Sequence, residues 1–366
     1  MRVLLLWQYY DRYLHYFYQR YPDVELLPYE QHQNKLISDN FIWTFALILR
    51  LRESGYEVEI AIVNDENLQR KWAVEKGKDF NRDWQFSIPY QQIQNFHPDI
   101  IWSGCPFNYY GRFFREIKPF CKLLFTWISC PWSNQLDFSG IDCVLTSDIA
   151  LQAAFEKLGV SSQVLLPAFE PRILKQLENH SLIRDIPLSF VGGLSSGHRS
   201  RKEMLNKLAK LYQIQIWGYR FKQPVSGLRS LLNRIKGEIE DYRLDTHHNG
   251  EVWGMEMYRI LQRSFLTIDI VIDMDIGMAG SMRMFEATGL GTLLLTYDAP
   301  NMPDLFASDC EVATYRTGNE LIDKIKYYLE HKEEGEKIAS AGQKRTLTEH
   351  NTLKRSRELM NIFESF

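Results

Sequence analysis

The amino-acid sequence predicts an α/β chain with two successive parallel-sheet domains facing a central cleft. Three observations carry that prediction. Short apolar runs alternate with helical patterns through both halves of the chain. The runs are apolar throughout rather than alternating, as strands buried on both faces must be. A length of 366 residues exceeds one ordinary core and fits two domains of common size.

The elements follow in order. Val3–Trp7 opens the chain as a strand. Phe41–Ser54 is a helical pattern stopped by Gly55, and Val58–Val63 is the next strand. A polar helix precedes the strand Pro98–Trp102, and Leu123–Ile128 and Cys143–Thr146 are further short strands. Ile149–Leu158 is a helix stopped by Gly159, followed by Val164–Leu166. Pro167–Pro187, with its prolines and charges, marks the boundary. The second series runs Leu188–Val191 strand, Arg201–Leu211 helix, Ile214–Trp217 strand, Met255–Gln262 helix, Leu266–Ile272 strand, Arg283–Thr288 helix and Leu293–Thr296 strand. Asn319–Glu330 and Lys332–Ala341 are helical. Thr352–Phe366 is an amphipathic helix on Leu353, Leu359, Ile362 and Phe363. Gln223–Asn249, basic then acidic, reads as an inserted excursion. The predicted domains are 1–170 and 186–345, with 346–366 as a terminal helix. Ligands of open α/β sheets bind at the carboxyl ends of the strands, so two such sheets suit one substrate each.

Composition narrows the function. A net charge of −3 provides no basic field, so no nucleic-acid partner is expected. No run reaches the roughly 18–20 apolar residues of a membrane span, and the opening apolar run is too short for a signal peptide. A cytoplasmic protein is expected. Cys105, Cys121, Cys130, Cys143 and Cys310 lack metal spacing and read as reduced, buried thiols. The aromatic content of 13% suits sugar stacking as well as cores.

The densest chemistry lies in Ser281–Thr296. Arg283 and Glu286 share one helical face ahead of Gly289, Gly291 and the apolar strand. Arginine suits a phosphate oxygen and carboxylate suits a pair of sugar hydroxyls; the alternative is a capped helix with a surface ion pair. Phe190–Arg201 runs from a strand through Gly192, Gly193 and Gly197 into a helix headed by His198, Arg199, Arg201 and Lys202. Cations are disfavoured in a first helical turn, so their crowding there points to an anion; the alternative is an exposed basic loop. The spacing fits neither a Walker loop nor a dinucleotide fingerprint. Trp217-Gly218-Tyr219 follows a strand and offers a base-stacking surface or a plain glycine turn. His247 and His248 are adjacent and make a poor metal pair. Asp269, Asp273 and Asp275 are either cation ligands or the solvent end of a strand. In the first domain, a loop holding Tyr9, Tyr10, Asp11, Tyr13 and His15 is expected after the opening strand. Asp11 and His15, with His32 and Asp39, are the candidate bases for an acceptor hydroxyl. Cys130-Pro131-Trp132 also ends a strand.

With these residues in place, the chain resembles the CgeB-type (spore maturation protein-like) bacterial glycosyltransferases, which have the GT-B fold of two Rossmann-like domains. The resemblance spans nearly the whole chain. It rests on Gly55–Val58, Asn64, Leu68–Trp72, Pro98–Ile101, Leu145–Ser147 and Ala168–Arg172. In the second half it rests on Phe190–Gly193, Arg201, Trp217-Gly218, Val252–Gly254, Met257-Tyr258 and above all Arg283–Thr296. Ala341–Gln343, Arg345–Leu347 and Glu349-His350 extend it. It implies a transferase moving a sugar from a nucleotide diphosphate-sugar, held mainly by the second domain, to an acceptor that is a glycan, a protein or a small molecule. By that analogy Glu286 grips the ribose hydroxyls, and Arg201 and Arg283 meet the diphosphate. Gly192, Gly193, Arg199, Trp217, Gly218 and Gly289 complete the expected donor site. The resemblance implies no metal and no cofactor, because cations and helix N-termini neutralise the leaving group. The final helix is expected to cross back to the first domain. The chain departs from the family pattern at Met278, where retaining members carry a second glutamate, and at Asp269, Val271 and Ser281. A nucleotide-sugar 2-epimerase and a non-catalytic nucleotide-sugar or carbohydrate-binding protein are the rival readings.

Overall fold

The computed structural model describes residues 1–109, 111–130, 132, 136–177, 183–194, 199–219, 244, 246–270 and 278–366. The chain forms two compact units, Met1–Glu170 with Thr352–Phe366, and Pro171–Asn351.

The first unit contains β1 (Arg2–Trp7), α1 (Asp11–Arg20), α2 (Tyr29–Ser38), α3 (Trp43–Glu53), β2 (Glu57–Ile62), α4 (Glu66–Glu75), α5 (Trp84–Phe96), β3 (Ile100–Ser103), α6 (Arg112–Ile117), β4 (Leu123–Trp127), β5 (Cys143–Thr146), α7 (Ile149–Lys157) and β6 (Ser162–Val164). Its six strands are all parallel, in the order β2-β1-β3-β4-β5-β6. The sheet is covered on both faces, which explains the unbroken apolar runs of β1 and β3. Local chemistry sets several ends. Gly55 (φ +84°) follows α3 and Gly159 (φ +71°) follows α7, both in the left-handed region that glycine adopts without a Cβ clash. Asp65 and Asp148 cap α4 and α7 by accepting backbone N–H bonds.

The second unit contains α8 (Arg172–Leu177), β7 (Ile186–Val191), α9 (Arg199–Leu211), β8 (Gln215–Trp217), α10 (Gly254–Arg263), β9 (Ser264–Ile268), α11 (Met282–Gly289), β10 (Leu293–Tyr297), α12 (Met302–Leu305), β11 (Ala313–Tyr315), α13 (Gly318–Glu330) and α14 (Lys332–Glu349). Five parallel strands are ordered β11-β10-β9-β7-β8. Their core joins Leu266, Ile268, Leu293 and Leu295 to Leu205 and Leu208 of α9 and to Leu321 and Ile325 of α13. Among the described residues, no helix is long and apolar enough to cross a membrane.

Several expectations need correction. Tyr9–His15 is not a loop, because α1 begins at Asp11 and buries Tyr13, Leu14 and Phe17 on one face. Residues 346–349 continue α14, so the expected break at 345 falls inside a helix, and the segment rejoining the first unit is α15 (Thr352–Glu364). Leu353 is exposed on α15. Its buried stripe is Thr352, Arg355, Ser356, Leu359 and Phe363, set by packing against α3 rather than by hydropathy. All five cysteines are free thiols, but Cys130 and Cys310 are exposed. The excursion Gln223–Asn249 lies largely outside the described residues.

The return of the chain to the first unit is fixed by one buried carboxylate. Glu170 accepts 2.6 Å from Arg50 Nη2 and 2.7 Å from Thr352 Oγ1, while the Thr352 N–H donates to Phe169 O. Arg50 also pairs with Glu53 at 3.0 Å, so loss of Glu170 costs the buried hydrogen bonds to Arg50 and Thr352 rather than every partner of the arginine. Glu170→Ala is therefore expected to lower stability by about 2 kcal/mol, read as an earlier urea transition; an unchanged midpoint refutes this role.

Candidate active site at the carboxyl edge of the second sheet

Strands β7, β8 and β9 all end at one edge, and the N-terminus of α11 is delivered to it. Ser281 caps α11, accepting from the Met284 N–H, and its hydroxyl donates 2.6 Å to Asp269 Oδ2, just beyond β9. Asp269 and Ser281, two of the departures from the family pattern, are thus hydrogen-bonded to each other. The approach to Ser281 is pinned by two bonds of 2.8 Å between the Asn301 amide and the Ala279 backbone.

Arg283 and Glu286 sit one turn apart on α11 and form an ion pair of 2.7 Å. The pair is inside the unit, with side chains 16% and 6% exposed, which rules out a surface ion pair. Three neighbours hold it. Arg283 Nε donates to Val191 O at the end of β7 (3.1 Å), and Nη1 lies 3.1 Å from Met257 Sδ of α10. Tyr258, also on α10, donates a long 3.4 Å bond to Glu286 Oε1. The remaining nitrogen, Nη2, meets no described protein acceptor. Burial pushes the Glu286 carboxyl above its ordinary range, against the opposing pull of Arg283 and the Tyr258 hydrogen bond.

The basic helix head divides into two roles. Arg201 is 9% exposed; its guanidinium donates to Ile270 O (2.9 and 2.5 Å) and Gly193 O (3.0 Å), bracing the ends of β7 and β9. Arg199 is exposed and pairs with Glu203 along the helix. His198 and Gly197 lie outside the described residues, as do Asp273, Asp275 and Val271.

The glycines serve packing. The Gly192 N–H donates to Trp217 O and the Leu194 N–H to Tyr219 O, so the β7–β8 pairing continues past both strands. The Gly192 N–H is therefore committed to the ladder and not to an anion. A Cβ on Gly193 would lie 2.4 Å from the Tyr219 ring, so only glycine admits that ring. Tyr219 stacks on Trp253 (centroids 5.5 Å, 18°), while Trp217 is buried and Gly218 turns the chain at φ +154°. His248 bonds to Gly218 O and His247 to Ile214 O, both 2.8 Å, so they hold this loop. Gly289 is the last residue of α11, at the end feeding β10 and away from Ser281; the left-handed stop is Gly291 (φ +68°).

In the first unit Asp11 opens α1, exposed, and accepts from Asn64 Nδ2 at 3.1 Å. His15 is exposed and bonded to Gln19. Asp39 is buried and accepts from Tyr13. His32 is wholly buried against the Tyr18 hydroxyl, and burial pushes it down to about 4. Its ring is neutral and enclosed. Sequence reasoning missed the roles of Met257, Tyr258 and Asp269. The available signal was the buried carboxylate itself, which demands donors from a neighbouring helix.

Two outcomes follow. A carboxyl raised by burial favours the folded state when protonated, so this contribution is present below the ordinary carboxyl range of about pH 4.3 and is lost as pH rises through the higher folded value. Glu286→Gln should therefore show a flatter fall of Tm from acid toward neutral pH than the parent; parallel curves count against it. Gly193→Ala should displace Tyr219 from Trp253 and lower stability by about 1–3 kcal/mol through overpacking, seen as a lower Tm; a crystal structure with the ring unmoved refutes the close approach.

Residues 199–361 match the family described as "Glycosyl transferase-like". No curated protein sequence matches the chain. Solved structures resemble it over its full length. Sucrose-phosphate synthase from Thermosynechococcus elongatus has a TM-score of 0.60 at 11% identity, covering 100% of this chain and 98% of its own. Anabaena Alr3699/HepE in complex with UDP and glucose has 0.59 at 12%, covering 100% of both. The UDP-GlcNAc 2-epimerase from Neisseria meningitidis, bound to UDP-GlcNAc, has 0.50 at 12%, again covering 100% of both. At these identities the likeness shows the fold: two parallel-sheet α/β units, of six and five strands, in the GT-B architecture. Family match and architecture together support an enzyme of GT-B type.

Proposed function

We propose that the chain is a metal-independent glycosyltransferase of the CgeB type, using a nucleotide diphosphate-sugar held by its second unit. The observation that carries the reading is the buried Arg283–Glu286 pair at the capped N-terminus of α11. Arg283 is immobilised through Nε and Nη1, and its Nη2 is the group offered to a diphosphate oxygen. Glu286 is the acceptor for ribose hydroxyls. The helix N-terminus adds partial positive charge where the leaving diphosphate gathers negative charge, which is why the mechanism is written without a metal. Arg201 acts as a brace, keeping the Gly193 and Ile270 carbonyls in place. The UDP and UDP-glucose in the Anabaena complexes support this donor class.

Attack by an acceptor hydroxyl on the anomeric carbon forms the new glycosidic bond, breaks the bond to the diphosphate and passes the hydroxyl proton to a base. Asp11 is the candidate base, being exposed at the carboxyl edge of the first sheet and oriented by Asn64. His15 is the second candidate, on the next turn of α1.

The same architecture houses an epimerase, so the assay must include donor alone. Purified protein should be stabilised by UDP-sugars in a thermal-shift panel and should release nucleotide when acceptor is present. Glu286→Ala should weaken donor binding about ten- to hundredfold, the worth of one charged hydrogen bond. Unchanged donor affinity and turnover in that variant overturns the site, and an epimer formed without acceptor overturns the transferase reading.

A further inference from the structure

The carboxyl edge of the first sheet carries an aromatic floor. Trp7 ends β1, Trp127 ends β4, and Trp102 lies on β3 between those strands. Trp7 meets Trp102 edge-on at 5.7 Å, and Trp102 lies 6.5 Å from Trp127. Trp43, the first residue of α3, meets Trp127 edge-on at 5.5 Å. A Cβ on Gly104 would lie 2.2 Å from the Trp7 ring, so the chain leaving β3 closes directly onto this floor. Trp7 and Trp102 are buried, whereas Trp43 and Trp127 are only half-buried.

Planar polar groups border the same edge. Gln8 follows Trp7, and Asn108 follows β3. Asn108 Nδ2 donates 2.6 Å to Gln8 Oε1, which leaves Gln8 Nε2 and Asn108 Oδ1 with no described protein partner. Asp11, steadied by Asn64, is exposed three residues after Gln8. Indole faces take the C–H face of a pyranose, while amides and a carboxylate take its ring of hydroxyls. An acyl chain calls for an apolar wall without such groups, and a phosphorylated acceptor calls for cations. The interleaving of half-buried indoles with amides and a carboxylate matches a sugar.

We propose that this edge is a carbohydrate-binding subsite, in which Trp43 and Trp127 stack on the pyranose rings of an oligosaccharide acceptor and Gln8 and Asn108 bond to its hydroxyls. As an acceptor site it rests on the glycosyltransferase reading and narrows the acceptor to a glycan.

The test is binding of the full-length protein to an array of hexose, N-acetylhexosamine and deoxyhexose oligosaccharides, followed by titration of the best-bound glycan against tryptophan fluorescence. The expected result is saturable binding with a change in indole emission. Trp43→Ala and Trp127→Ala should each weaken it roughly tenfold. Trp43→Phe, which restores a ring, should recover most of the loss, and the exposed Asn108→Ala should weaken binding without lowering Tm. A UDP-glucose titration on the same sample separates the two readings. Nucleotide binding with no glycan bound, or glycan binding unaffected by both tryptophan truncations, overturns the subsite and leaves the donor site standing. Glycan binding sensitive to the tryptophans, without nucleotide binding, supports the subsite and overturns the donor reading.

Discussion

The ion pair between Arg283 and Glu286 is the interaction around which the carboxyl edge of the second unit's sheet is organised. Two opposite charges have been taken out of water, an arrangement that is unfavourable unless geometry and further hydrogen bonds compensate for lost hydration. Compensation comes from three groups on two elements: the last carbonyl of β7, and Met257 and Tyr258 on α10. A ligand that accepts from Arg283 or donates to Glu286 meets a site whose orientation has already been set by the fold. Preorganisation of this kind makes charge effective in a water-poor site.

The surrounding loops show the same division between holding and binding. Arg201 belongs to a basic helix head but ties down two carbonyls. The paired glycines allow an aromatic ring to reach the backbone, and their strand continues to pair with its neighbour. Asp269 and Ser281 satisfy each other at the helix cap. The structure also gives a physical reason to separate Gly289 from the other expected site residues: it closes the far end of α11, where its carbonyl accepts from Gln343.

Much of the fold was legible because parallel strands buried on both faces leave unbroken apolar runs, and because Gly55, Gly159 and Gly291 punctuate helix ends with a backbone geometry that other residues resist. Less legible were short or mixed elements. Strand β11 spans three residues, too few for a pattern. Helix α1 is crowded with tyrosines between charged ends, so its buried face emerges only when Tyr13, Leu14 and Phe17 are seen against the core. On α15 the hydropathic face and the buried face differ, because Thr352 is drawn inward by Glu170 while Leu353 is left in solvent.

The sequence by itself determined the class of architecture, the order of most elements and the pairing of Arg283 with Glu286 on one helical face, since each follows from periodicity and local backbone chemistry. Tertiary structure alone decided which charges are buried, which carbonyls Arg201 and Arg283 hold, and that His32 is enclosed while Asp11 is open. These depend on partners distant in the chain: Val191, Met257 and Tyr258 around the ion pair, Ile270 and Gly193 around Arg201, Tyr18 beside His32. A side chain's charge state and availability are properties of its surroundings, and those surroundings exist only once the sheet and its helices have assembled.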